Sequence, residues 1–225
     1  MKVNIAGVIV PNDEKEVYEW FGIEATAPRD IHAAIEKAAG QPLEVYINSG
    51  GGSVFAGSEM YTALREYKGG IYVKIVGRAG SAATLPAMAG SSEISPTAMI
   101  MVHRASSRAE GNCHAMDKSS EMLQTADTAI ANAYVQKSGM PMEDAIEMMD
   151  RETWLTAQQA VERGLVDKVM FSEAVQLVAS AEEMLPAAVV QKVKAIIHTQ
   201  EAPQAAEKSR AQAEIDLMNL RRKLQ

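Results

Sequence analysis

The chain has 225 residues, enough for one large domain or a domain with an appendage. Its formal net charge of −7 argues against a nucleic-acid binder, which would carry a basic face. A single cysteine, Cys113, excludes an intramolecular disulfide and fits a reducing compartment. No stretch approaches the roughly 20 apolar residues of a membrane span, and no secretory leader is visible at Met1-Lys2-Val3-Asn4-Ile5.

Residues 3–10 read as a strand ended by Pro11-Asn12-Asp13. Pro28 opens a helix whose apolar face is Ile31, Ala34, Ile35 and Ala38, and Gly40 stops it. Leu43, Val45 and Ile47 alternate with Glu44, Tyr46 and Asn48 in a second strand, followed by a glycine loop at Gly50-Gly51-Gly52. A helix over 55–67 comes next. The pattern then repeats: a strand over 71–76, a turn over 77–80, and a small-residue helix over 81–89, which Pro86 should kink. Residues 98–103 form another strand. A long helix over 112–137 carries Met116, Leu123, Ile130 and Tyr134 on one face, and Gly139-Met140-Pro141 breaks it. A short helix over 143–149 precedes Thr156-Ala157-Gln158-Gln159, a capping box. Its helix stops at Gly164, and 165–170 makes a last strand. This alternation predicts an α/β layered fold. Residues 172–225 change in character to an alanine- and glutamate-rich helical stretch, a polar linker and an amphipathic end with Leu217, Leu220 and Leu224 on one stripe. The expected organisation is a domain over 1–171 and a helical, partly flexible tail over 172–225.

Three motifs carry chemistry. A glycine run after a strand lets backbone N–H groups face an anion. Ser81, on a strand-to-helix turn after Gly80, has the N–H of Ala82 beside any tetrahedral oxyanion formed on it. His103 ends an apolar strand, held by buried neighbours but able to reach the sheet edge, as a general base must. His32, His114 and His198 read as surface residues. A base of this kind needs an acidic orienter. Asp150 and Glu152 stand just before Trp154-Leu155-Thr156-Ala157, and local chemistry does not choose between them.

The ordered set INSGGGSVFAG, GRAGSAAT, MIMVH and ETWLTAQQAVERGLVD resembles the ClpP-like serine peptidases over roughly residues 3–171. The resemblance implies a crotonase-like α/β fold of repeated ββα units, with the long helix as a handle between stacked rings of a homo-oligomer. It implies Ser81 as nucleophile, His103 as base, and the N–H groups of Gly52 and Ala82 as oxyanion donors. It places Glu152 where housekeeping members have aspartate, with Asp150 in reserve. Gly50 replaces a common proline, and Gly80 a common alanine.

The nearest likeness is to the head-maturation proteases of tailed phages and prophages. It rests on Trp154 in place of phenylalanine, the Tyr18-Glu19-Trp20-Phe21-Gly22 segment, a start directly on a strand and the long continuation past the domain. That likeness implies scaffold, portal or capsid precursors as protein substrates, in the bacterial host's cytoplasm or inside the phage prohead. Neither a metal nor an organic cofactor is required, and neither nucleic acid nor membrane is an expected partner. Two alternatives stay open: an acyl-CoA hydratase or hydrolase of the crotonase type, for which the Ser81–His103 pair is superfluous, and a non-catalytic ring-forming scaffold.

Overall fold

β1 (Lys2–Ile9), β3 (Leu43–Gly52) and β4 (Ile71–Gly80) form the centre of a sheet that the computed structural model describes over residues 1–172. The expected tail over 172–225 lies outside the described residues beyond Ser172. In chain order the other elements are α1 (Lys15–Trp20), β2 (Ala25–Thr26), α2 (Pro28–Ala38), α3 (Val54–Glu66), a 3-10 turn (Ser81–Ala83), α4 (Thr84–Ala87), β5 (Ser91–Ile94), β6 (Met99–Val102), α5 (Cys113–Ser138), α6 (Met142–Asp150), β7 (Thr153–Thr156), α7 (Ala157–Glu162) and β8 (Lys168–Val169).

The main sheet runs in the order β2-β1-β3-β4-β5-β8, and each neighbouring pair is parallel. β4 serves two neighbours. Residues 72–75 pair with β5, and 78–80 pair with β6. β6 in turn pairs antiparallel with β7. The mixed α/β class, with its parallel sheet and covering helices, is the one the alternation implied.

The sheet's inward positions are the aliphatic ones. Ile5, Val45, Ile47, Val73, Ile75 and Ile100 are fully buried, as are Ile31 of α2 and Met60 of α3. Each such side chain contributes roughly 1.5–3 kcal/mol by leaving water. The alternate positions are polar: Lys74 donates to Glu44 at 2.7 Å and Tyr72 to Glu93 at 2.8 Å.

Four of the sequence-based boundaries need correction. The glycine run is not a loop, because β3 continues through Gly52, pairing Val8 with Gly51 and Ile9 with Gly52. Nor is 77–80 a turn: β4 continues to Gly80, held on one side by Ser49 and on the other by β6. Local glycine content reads as punctuation, but pairing with β1 holds the end of β3 in the sheet, and pairing with Ser49 and β6 holds the end of β4. The expected helix over 81–89 divides into the 3-10 turn and α4. Pro86 then falls in the first turn of α4, where its missing N–H costs nothing. The last strand shortens to Lys168–Val169. The caps hold as read: Asn112 accepts the Ala115 N–H at 3.1 Å, and the Thr156–Gln159 box closes both ways.

Candidate active site

Parallel pairing sets the ends of β4 and β6 side by side. The register is Arg78↔Met99, Ala79↔Ile100 and Gly80↔Met101. Ser81 is therefore level with Val102, and His103 comes one residue later on the adjoining strand. Their side chains meet, with His103 Nε2 2.7 Å from Ser81 Oγ. His32 instead faces Glu59 at 3.5 Å, and His114 is exposed. His198 lies outside the described residues.

Ser81 has φ +52°, a left-handed conformation in a residue with a Cβ. Such a position costs roughly 1–2 kcal/mol and persists only when its surroundings over-determine it. Here they do. Thr84 Oγ1 donates to the Ser81 carbonyl at 2.6 Å and lies 2.7 Å from the Tyr134 hydroxyl. The Thr84 proton is committed to Ser81, so Tyr134 is the donor in the second bond. Thr84 and Tyr134 are both buried. Burial pushes the Tyr134 phenol up to about 12, with the Thr84 hydrogen bond opposing, so it stays protonated.

The end of β3 lies against this turn. A Cβ on Gly51 would stand 2.7 Å from Ser81 Cβ and 2.9 Å from the Ala82 nitrogen, and Gly51 has φ +100°. Only glycine permits so close an approach. Buried Ser49 shapes the run: its Oγ donates to the Gly7 carbonyl at 2.6 Å and accepts the Gly51 N–H at 3.1 Å. The Gly51 N–H is thus engaged. At the next step the Ser53 N–H takes the Ile9 carbonyl, at 2.8 Å. Beside the glycines is a depression of about 630 Å³, whose walls include Val8, Ile23, Glu24, Gly50 and Arg78.

The two candidate acids part company. Antiparallel pairing matches Val102 with Thr153, which puts Glu152 level with His103. Glu152 is exposed and has φ +47°. It sits just past the end of α6, where its N–H bonds the Met149 carbonyl at 3.2 Å. Among the described residues, the His103 side chain has a hydrogen bond to Ser81 and none to Glu152. Asp150 is engaged elsewhere. It takes both Arg104 Nε and Arg104 Nη2, the latter at 3.0 Å, and this hydrogen bond holds its carboxyl below the usual range.

Sequence reasoning passed over the residues that brace the site. Asp127, with its side chain only 4% exposed, accepts the Ala105 N–H at 2.7 Å and Arg104 Nη1 at 3.0 Å. A signal for it existed: Asp127 falls three and seven residues before Ile130 and Tyr134, a charge on an apolar stripe. Thr84 gave no such signal.

The fold and this pair define a mixed α/β protein with a hydroxyl and an imidazole joined at the ends of adjacent parallel strands. The pattern of the Clp protease family matches residues 27–173, well over half the chain, and the chain belongs to that family. It is 33% identical over 131 residues to the ATP-dependent Clp protease proteolytic subunit of Dehalococcoides mccartyi strain 195, covering 57% of this chain and 66% of that protein. It is 30% identical over 134 residues to the protein of the same description from Deinococcus radiodurans, covering 58% and 65%. The chain thus spans just under two thirds of these relatives.

Proposed function

We propose that the chain is a serine-type endopeptidase. The observation that carries this is the 2.7 Å approach of His103 Nε2 to Ser81 Oγ, within the reach a general base needs. Family membership supports the same reading and does not favour an acyl-CoA enzyme or an inert scaffold. In the proposed reaction, His103 Nε2 takes the Ser81 proton as Oγ attacks the peptide carbonyl. The N–H groups of Gly52 and Ala82 receive the oxyanion. His103 then gives the proton to the leaving amine as the C–N bond breaks, and water releases the acyl group by the same route in reverse. Glu152 is assigned to the imidazolium that forms in each half. Its place level with His103 across the antiparallel pair supports the assignment.

We further propose protein substrates, a homo-oligomeric ring and a bacterial cytoplasmic setting. The outer half of α5 supports the oligomer, because Met116 and Met122 stand exposed there while Ile130 and Tyr134 are buried in the domain. Among the described residues, the expected four-residue face is thus buried at Ile130 and Tyr134, half-buried at Leu123 and exposed at Met116. Among the described residues, no helix is long and apolar enough to cross a membrane. The finer proposal, that the substrates are phage scaffold, portal or capsid precursors, is supported by Trp154 and the segment over 18–22.

Reaction of the purified chain with a fluorophosphonate tests the catalytic assignment. The expected result is one adduct, on Ser81, and loss of peptide hydrolysis in Ser81→Ala. An unlabelled Ser81, or full activity in that variant, refutes it.

A further inference from the structure

β6 ends at Val102, and no ladder holds the chain that follows. Side chains take over. Asp127 of α5 accepts the Ala105 N–H at 2.7 Å, so the first residues past His103 are fastened to a helix rather than to a strand. Its other oxygen receives Arg104 Nη1 at 3.0 Å. A carboxylate this deeply buried costs several kcal/mol unless it is paired and hydrogen-bonded, and the packing around it does not call for a charge, since Ile130 and Ala131 fill neighbouring positions on the same helix. The same guanidinium also forks onto Asp150 through Nε and Nη2. Asp150 is the last residue of α6, two before Glu152. One planar group thus joins the residue after the candidate base to the segment before the candidate acid, across the β6–β7 pair. Lysine, a compact ammonium without a planar fork, cannot offer Asp150 the same two-pronged face while reaching Asp127.

We propose that Arg104, gripped by Asp127 and Asp150, is a positioning residue that holds the backbones of His103 and Glu152 level with one another. Its side-chain hydrogen bonds run to Asp127 and Asp150 and not to Ser81. Its role is to fix the chain on either side of the pair, where a displacement of about 1 Å can cost about 100-fold in rate. The inference rests on the peptidase reading and adds to it the device that aligns the base and the acid. It also gives Asp150 a task different from that of triad acid.

The test uses the full chain and a fluorogenic peptide, with fluorophosphonate labelling of Ser81 run in parallel. Asp150→Asn is the principal variant, because this carboxylate is 52% exposed and its loss leaves the pair of Arg104 with buried Asp127 intact. Its kcat should fall about 10-fold with KM within about twofold, and Asp150→Glu should recover most of the loss. Arg104→Gln with Asp127→Asn, which removes the buried carboxylate together with its cation, should lower kcat about 100-fold. The proposal is overturned if Asp150→Asn keeps kcat within about twofold, if KM rises as much as kcat falls, or if Asp150→Glu is no better than Asp150→Asn. Failure of the two ideas is distinguishable. An unlabelled wild-type Ser81 removes the peptidase reading, and the alignment role with it. A labelled wild type beside an unimpaired Asp150→Asn removes the alignment role alone.

Discussion

Replacing Glu152 by glycine should leave the protein more stable than replacing it by alanine, while both replacements should cost activity. Glu152 has φ +47°, just past the end of α6, where glycine is the usual residue. Any L-residue there carries roughly 1–2 kcal/mol of left-handed strain. Glycine escapes it but loses about 0.5–1 kcal/mol through the greater freedom of its unfolded chain. The balance favours Glu152→Gly over Glu152→Ala by about 0.5–1 kcal/mol, or about 1–4 °C in Tm for a protein of this size. Glu152→Ala keeps the strain and removes an exposed side chain, so it should stay within about 0.5 kcal/mol of the wild type. If Glu152 is the triad acid, both variants should lose about 100-fold or more in kcat, well beyond Asp150→Asn. The assay is thermal unfolding at one fixed protein concentration, because an oligomer's Tm depends on it, together with peptide hydrolysis. A glycine variant no more stable than the alanine variant refutes the strain argument. Wild-type kcat in either variant refutes the catalytic one.

Three further outcomes follow from the same geometry. Gly51→Ala forces a Cβ to within 2.7 Å of Ser81 Cβ and 2.9 Å of the Ala82 nitrogen at φ +100°; hydrolysis and Ser81 labelling should both be lost, which a labelling time course reads directly. Thr84→Val removes the side-chain donor to the Ser81 carbonyl, which keeps the backbone N–H of residue 84, and leaves the buried Tyr134 hydroxyl without its partner; it should cost about 1–3 kcal/mol, more than the about 1 for Tyr134→Phe, in which Thr84 still serves Ser81, and denaturant melts give the order. Asp167 is pushed up by burial, but the Lys137 ion pair and the Ser92 N–H outweigh this and leave its carboxyl below the ordinary value. Its contribution is therefore complete above the unfolded value near 4 and is lost as pH falls through the lower folded one; Asp167→Asn should flatten that part of the acid-unfolding curve and leave stability above pH 5 independent of pH at this site.

Local rules made most elements legible. Alternation marked β1 and the first half of β3, and the Asn112 and Thr156 caps and the Gly139 stop marked helix ends, because each depends on a few neighbouring residues. The short strands β2, β5 and β7 and the short helix α1 were not legible. Two to six residues hold too little periodicity, and the strands exist because a longer neighbour offers its edge. The glycine-rich ends of β3 and β4 misled for a related reason: glycine's freedom is spent on a strand that must pass within contact of the nucleophile turn.

The site divides along the same line. Ser81 and His103 could be named from their motifs, but what makes them a pair is the register Gly80↔Met101, a contact between segments some twenty residues apart in sequence. Glu152 depends on a longer connection still, the pairing of Val102 with Thr153 across α5 and α6. Motif spacing cannot carry that information, since both helices intervene and could end in any phase. The structure compensates with charge. Asp127 on α5 and Asp150 at the end of α6 both converge on Arg104, so the two helices that separate base from acid in sequence also supply the groups that hold them level in space. Backbone strain at Ser81 and Glu152 fits the same picture. Two of the four non-glycine residues with positive φ among those described are candidates for the reaction, each at the end of an element and each braced from outside it, by Thr84 in one case and by the Arg104 network in the other.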